Sequence, residues 1–319
     1  MRAIGFSEFG GPEVLRVLEL DQPHVGAGEV RIRVHASAVS PSDSVSRSGA
    51  ALALIRQFDP SFDYPAPPYI VGWDIAGFID EIGPDTTTDL TIGDRVIAIT
   101  TPMTLRGGYC EYVVVPAESA VPAPANADNV AACTLPMNGL TARLALDKLA
   151  LSPGATVAVT GAAGTFGGYA VQLAKADGLR VVADAAPADE ALVKELGADL
   201  VVPRGEDVAK HIRAVVGDGV DALVDGAVQD DAVADAVRDG GAVVTVRNHV
   251  GSTDRGLRWI PIFVTDYQRD RDRLNRLGNQ VETGQLTLRV AGTYPWDQAE
   301  QAHRRLEAGG VRGRLVLTF

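Results

Sequence analysis

The clearest chemical content of this 319-residue chain lies in nine residues, Thr160-Gly161-Ala162-Ala163-Gly164-Thr165-Phe166-Gly167-Gly168. Their spacing is A-x-G-x-x-G, with Ala162 where a strict G-x-G-x-x-G has its first glycine. Gly164 lets the backbone approach a pyrophosphate, and Gly167 lets a helix pack closely on a sheet. Free amides at the start of that helix then hold the anion. The predicted cofactor contacts are therefore Gly161, Ala162, Ala163, Gly164, Thr165, Phe166 and Gly167. About 20 residues further on, Asp184 stands where a carboxylate accepts from a ribose 2′-hydroxyl and repels a 2′-phosphate. No Arg or Lys occurs from 181 to 190, yet Arg204 at the next strand end can reach a phosphate. These residues leave NADP(H) and NAD(H) both open. Val246, at the end of a later strand, completes the candidate cofactor set.

A glycine fingerprint carries weight only between a strand and a helix. The pattern around it predicts that setting. Residues 155–160 read as a buried strand and 167–177 as a helix. Strands then follow at 180–183, 199–202, 222–225 and 242–246, with helices at 189–196, 209–216 and 231–238 between them. Repeated β-α-β units predict a parallel, doubly wound sheet covered on both faces. The first 120 residues differ. Runs at 30–34, 73–82, 95–99 and 112–115 are short, apolar or alternating, and punctuated by Gly and Pro, as in a compact β-barrel or sandwich. Beyond 265, helices at 269–277 and 297–307 and strands at 286–290 and 314–319 are too few to bury a core of their own, so this tail returns to the first domain. The expected boundaries are 1–121, 122–264 and 265–319.

Composition narrows the partners. Asp and Glu number 41 against 29 Lys and Arg, a net charge of −12. Such a surface repels phosphate backbones and anionic bilayers, which argues against nucleic acid or membrane as the main partner. Two cysteines, Cys110 and Cys133, make neither a disulfide framework nor a four-thiolate zinc lobe. No charged segment leads into a long apolar run near residue 1, and no apolar stretch reaches membrane-spanning length. A cytoplasmic protein with a small-molecule substrate is the expectation.

Several further stretches occur in a telling order: Gly72-Trp73-Asp74-Ile75-Ala76-Gly77, then Gly107-Gly108-Tyr109-Cys110-Glu111-Tyr112, then Gly139-Leu140-Thr141-Ala142. Ala302-His303-Arg304-Arg305-Leu306-Glu307 and Gly313-Arg314-Leu315-Val316-Leu317 close the series. With them the chain resembles, over essentially its whole length, the zinc-independent quinone oxidoreductase branch of the medium-chain dehydrogenase/reductases. The resemblance implies an α/β fold in which a Rossmann domain is inserted in a GroES-like β-barrel catalytic domain. It also implies a cofactor in the cleft between them, with NADP(H) favoured, and often a homodimer, for which 259–264 is the candidate edge.

The same resemblance supplies the remaining site residues. Ser40, Asp43, Arg47 and Gly49 match the stretch N-x-x-D-x-x-Y-R-x-G, with Ser40 and Ser46 replacing its Asn and Tyr. Tyr64-Pro65 is similar to a Tyr-Pro bordering the substrate pocket, which makes Tyr64 the candidate proton donor beside Ser40 and Asp43. Thr141 is similar to a threonine near the nicotinamide. The segment 50–63 is longer than the usual link and apolar at Leu52, Leu54, Ile55, Phe58 and Phe62, so it is expected to form an extra helix over the pocket. The positions that hold catalytic zinc in relatives match Ser40, Trp73 and Met137, a set that does not build a zinc site. Without a Lewis acid the easier partner is an electron-poor acceptor. The expected activity is NAD(P)H-dependent hydride transfer to a quinone or an α,β-unsaturated carbonyl. The alternatives are an enoyl-thioester or biosynthetic-intermediate reductase, and a non-catalytic cofactor-binding structural or regulatory protein.

Overall fold

A computed structural model describes residues 1–57, 59–100 and 106–319. These divide into two compact units. One comprises Met1–Met137, Gln268–Glu282 and Leu288–Phe319; the other comprises Asn138–Tyr267 and Thr283–Thr287.

The first unit opens with β1 (Arg2–Gly5), β2 (Arg16–Glu19) and β3 (Glu29–Val39), followed by α1 (Pro41–Arg47) and α2 (Ala50–Ile55). Next come β4 (Asp74–Ile82), β5 (Arg95–Ile99), β6 (Tyr112–Pro116), β7 (Ala120–Pro122) and α3 (Asn129–Ala132). Ser40 caps α1: its side chain accepts from the Ser42 N–H, the Asp43 carboxylate reaches back to the Ser40 N–H, and Pro41 fills the first helical position. Such reciprocal capping satisfies donors that a helix start otherwise leaves open. The expected extra helix over 50–63 exists as α2, over 50–55; Phe58 lies outside the described residues.

The second unit holds α4 (Pro136–Leu149) from 138 onward, then β8 (Thr156–Thr160), α5 (Thr165–Ala176), β9 (Arg180–Ala185), α6 (Glu190–Glu195) and β10 (Leu200–Pro203). After these come α7 (Val208–Val215), β11 (Val220–Asp225), β12 (Val237–Thr245) and β13 (Arg258–Pro261). The chain then adds α8 (Arg271–Glu282), β14 (Val290–Pro295), α9 (Ala299–Glu307) and β15 (Arg314–Thr318) to the first unit.

The second unit's sheet runs β10-β9-β8-β11-β12-β13, all parallel. Numbered within the unit this is 3-2-1-4-5-6, the dinucleotide-binding order, and its switch point lies between β8 and β11. β8 and β11 are buried almost throughout, as strands covered on both faces must be. The first unit's sheet runs β14-β15-β3-β4-β5-β7, with β6 also on β3, and only β14 and β15 are parallel. β15 pairs with β3 through Leu315↔Val39 to Thr318↔Ala36. Ile32, Ile75, Val96, Leu315 and Leu317 share that unit's core with Ala299 and Ala302 of α9.

Several expected boundaries move. Residues 122–137 belong to the first unit, not the inserted one. The Arg95 guanidinium donates to the carbonyls of Pro124 (2.6 Å) and Ala127 (2.8 Å) and anchors that segment. The expected helix over 231–238 is instead a 3-10 helix, 230–236, and β12 starts at Val237. The Asp225 carboxylate accepts from the N–H groups of Gln229 and Asp230, which tightens the turn that opens it. The strand expected at 286–290 is β14, displaced to 290–295. Gln172 holds the Thr287 N–H at 2.8 Å within the second unit, and ladder pairing starts only at Val290↔Arg314.

Candidate cofactor and substrate sites

In the second unit the glycine loop sits at the C-terminal end of β8. Gly161 takes φ +66°, and a Cβ there would lie 2.9 Å from the Gly226 carbonyl. A Cβ on Gly167 would lie 2.3 Å from the Gly161 carbonyl oxygen, so α5 packs directly on the loop only because this residue is glycine. Gly164 is the N-cap of α5, in extended conformation, and offers no side-chain acceptor to the first turn. Those amides carry the positive end of the helix dipole and are a ready anion cradle. Ala162 and Ala163 are buried behind it, while Thr165 and Phe166 are partly exposed.

Asp184 faces inward. Only 4% exposed, it accepts the Ala162 N–H at 3.1 Å, and burial raises its carboxyl against the pull of that bond and of Arg204. Asp184, the expected ribose ligand, thus also holds the glycine loop through the Ala162 amide. A second clamp, which sequence reasoning missed, spans the switch point: the Thr160 hydroxyl donates to Asp225 at 2.7 Å and accepts the Ala227 N–H at 3.2 Å. Arg204 follows β10 and is exposed; Val246 follows β12 and is partly exposed; both stand at the same edge of the sheet as the loop. Thr141 lies partly exposed on α4 of the same unit.

The first unit brings Ser40 and Asp43 together. Ser40 is fully buried and occupied in capping α1. Asp43 is also fully buried. Its two oxygens accept from the Ser40 N–H (2.8 Å), the Gly72 N–H (2.9 Å) and the Tyr109 hydroxyl (3.2 Å). Neither side chain can touch a substrate, so the expectation that they do chemistry gives way to a positioning role. Burial pushes the Asp43 carboxyl up to about 6 despite its three donors. Tyr64 stands in an aromatic cluster with Phe62 (ring centroids 5.3 Å, edge-on), Tyr69 (6.1 Å) and Phe9 (6.3 Å). Burial, and then Tyr69, raise its phenol, so it keeps its proton across neutral pH.

Behind Asp43 runs a chain that residue spacing did not reveal. Arg47 Nη1 lies 2.7 Å from His303 Nδ1, and His303 Nε2 lies 3.2 Å from the Tyr109 hydroxyl. A guanidinium only donates, so Nδ1 accepts, and Nε2 carries the proton and donates to Tyr109. The phenol proton is then directed to Asp43. Burial, and then Arg47, hold His303 down at about 3, which keeps the ring neutral. Arg47 Nη2 also donates to Glu307 at 2.7 Å. His303 and Glu307 are four apart on α9, a spacing that puts them on one face and was the one available signal.

Asp74, beside Trp73, is the other buried acid. It accepts from the Met137 N–H, its Oδ2 has no partner among the described residues, and burial raises it to about 7 against the nearby Arg314. The donor set for zinc is poor. Ser40 is committed to its helix, Trp73 offers an indole and Met137 a buried thioether. Among the described residues no group of three or more His, Cys, Asp or Glu comes together. These residues do not fit a catalytic zinc. The glycine loop, by contrast, has the bare helix terminus and the absent Cβ atoms that a dinucleotide needs.

Comparison with known proteins finds two domain models on this chain. Residues 26–125 match the alcohol dehydrogenase GroES-like domain, and residues 196–317 a domain described as zinc-binding dehydrogenase. The mouse quinone oxidoreductase is 30% identical over 99% of this chain and 97% of its own. An alcohol dehydrogenase of Geobacillus stearothermophilus is 34% identical over 99% of both chains. The chain belongs to the medium-chain dehydrogenase/reductase family. A mycobacterial structure complexed with NADPH superposes with a TM-score of 0.84 at 28% identity, covering 100% of both chains. Membership accounts for both sheets: a GroES-like unit that starts and ends the chain, and a Rossmann sheet between.

Proposed function

We propose that this chain is an NADP(H)-dependent reductase that passes a hydride to a quinone or an α,β-unsaturated carbonyl without zinc. The observation that carries the reading is the bare N-terminus of α5 behind Gly161, Gly164 and Gly167, at the switch point of a 3-2-1-4-5-6 sheet. When bound, the nicotinamide supplies the hydride. The amides of 165–167 hold the pyrophosphate, and Thr141 and Val246 flank the nicotinamide end. A conjugated carbonyl stores the arriving charge on its own oxygen, so a Lewis acid is not required, and the protein's tasks are positioning and a proton. Tyr64 gives that proton, to the oxygen of a reduced quinone or to the carbon beside an enone carbonyl. Asp43 holds the backbone of Ser40 and Gly72 in place and moves no proton itself. Two chains pair through the exposed edge of β13, near Phe263 and Val250, which are 42% and 59% exposed. The proposed compartment is the cytoplasm, the reducing setting in which Cys110 and Cys133 stay free thiols.

The test follows NADPH absorbance with a panel of 1,4-quinones and enones, with and without a chelator. Acceptor-dependent oxidation that the chelator leaves unchanged is the expected result. Faster oxidation by enoyl thioesters would transfer the assignment to a thioester reductase. Tight NADPH binding with no oxidation by any acceptor would make the protein a cofactor-binding one without turnover.

A further inference from the structure

No hydrogen bond among the described residues holds the Tyr64 hydroxyl, so its direction is set by what packs around the ring. Three rings do so. Tyr69 and Phe9 lie at 6.1 and 6.3 Å, tilted by 59° and 50°. Phe62 is nearer, at 5.3 Å, and almost perpendicular, at 84°. Edge-to-face contact is a geometry that aromatic quadrupoles favour, so Phe62 constrains the plane of the Tyr64 ring as well as its place.

Phe62 belongs to the segment between Gly49 and Tyr64 that exceeds the usual link, and that segment is built to hold it. Leu52 and Ile55 of α2 pack with Phe62 against the first unit's core. The Asp59 N–H donates to the Ile55 carbonyl (3.0 Å) and the Phe62 N–H to the Asp59 carbonyl (3.0 Å), so the chain turns back on the end of α2. Arg56, which follows α2, then reaches both residues that precede Tyr64. Its Nε donates to the Phe62 carbonyl at 2.9 Å, and its Nη2 lies 3.3 Å from Asp63 Oδ1. The same Asp63 oxygen accepts the Tyr64 N–H at 2.9 Å. Pro65 follows and disfavours a helical Tyr64. The Arg56 and Asp63 side chains are 45% and 69% exposed, so their ion pair adds little stability, and what it supplies is geometry.

We propose that Arg56, Phe62 and Asp63 position the proton donor: Phe62 fixes the plane of the Tyr64 ring, and Arg56 holds the backbone of Phe62 and, through Asp63, that of Tyr64. The inference rests on the reading that Tyr64 gives the proton. All three are positioning residues that act through Tyr64.

Quinone kinetics and ultraviolet difference titration of tyrosinate test it, on wild type, Phe62→Ala and Arg56→Ala, each also combined with Tyr64→Phe. The difference between each protein and its Tyr64→Phe counterpart isolates one phenol among seven. Phe62→Ala should lower kcat about tenfold and leave KM within about twofold, since a displaced donor costs turnover and not binding. Arg56→Ala, which removes a half-exposed side chain and leaves the core intact, should lower kcat about threefold. Both losses should vanish in the Tyr64→Phe background, as they must for residues that act through Tyr64. Burial raises the Tyr64 phenol, so opening its edge in Phe62→Ala should bring the titration midpoint down towards the ordinary 10. Losses of equal size in both backgrounds, a change in KM alone, or an unmoved titration would overturn the inference while leaving Tyr64 as donor. An unchanged kcat in Tyr64→Phe itself would sink both readings, a failure distinct from the first.

Discussion

Single residues divide here into those that face reactants and those that hold others still. Tyr64 is assigned to the first kind. Removing its hydroxyl in Tyr64→Phe should lower kcat about a hundredfold, the usual worth of a positioned general acid, with KM little changed. Steady-state rates with a quinone check this, and an unchanged kcat would take Tyr64 out of the reaction. His303 is of the second kind, and its signature is thermodynamic. The ring is held at about 3 against an ordinary 6.5. Between those values the unfolded chain binds a proton that the folded chain refuses. Stability conferred by the neutral ring is therefore complete above about 6.5 and falls on acidification, by at most about 1.4 kcal/mol per pH unit. His303→Gln has no such proton. Urea melts at about pH 7.5 and about pH 5 should show wild type losing more stability than the variant, and parallel losses would refute the role.

At the scale of elements, α1 and its neighbours depend on Asp43. Asp43→Asn keeps one acceptor oxygen, so either the Ser40 or the Gly72 N–H loses its partner. That should cost about 2–3 kcal/mol in denaturant melts and leave NADPH affinity unchanged, because the nucleotide loop belongs to the other unit. An equal loss of affinity would mean that Asp43 acts beyond its own unit. The contrast between the two sites also explains what could be read in advance. The glycine loop is local: strand, turn and helix are consecutive, and 160–168 shows the site by spacing alone. The strands near it were legible for the same reason, since a doubly wound sheet repeats one short pattern. The Asp43 network joins residues 43, 47, 109 and 303, and no local pattern links points so distant. Ser40 and Asp43 were visible as polar residues in a motif, but their full burial comes from packing. Asp184 is placed by spacing at the tip of the second strand, but its burial and its bond to the Ala162 N–H come from packing that spacing does not encode. The helix expected at 231–238 failed because a neighbouring carboxylate, Asp225, reshaped its first turn.

For the whole molecule, β13 ends the six-stranded sheet, and among the described residues its outer edge pairs with no strand, a feature that proteins usually cover. Light scattering after size exclusion should give about twice the single-chain mass of 33.5 kDa, and a single-chain mass would exclude the dimer. The fold also has a consequence for biosynthesis. Strand β15, residues 314–318, lies between β14 and β3 in the interior of its sheet. A ribosome delivers β3 nearly three hundred residues earlier, so one side of β3 at 36–39 waits without its mate until translation reaches β15. The Rossmann unit, nearly continuous from 138 to 267, can close meanwhile. Nascent chains halted before residue 314 should therefore carry a finished nucleotide-binding half tethered to an open, sticky sheet, the natural client of a chaperone.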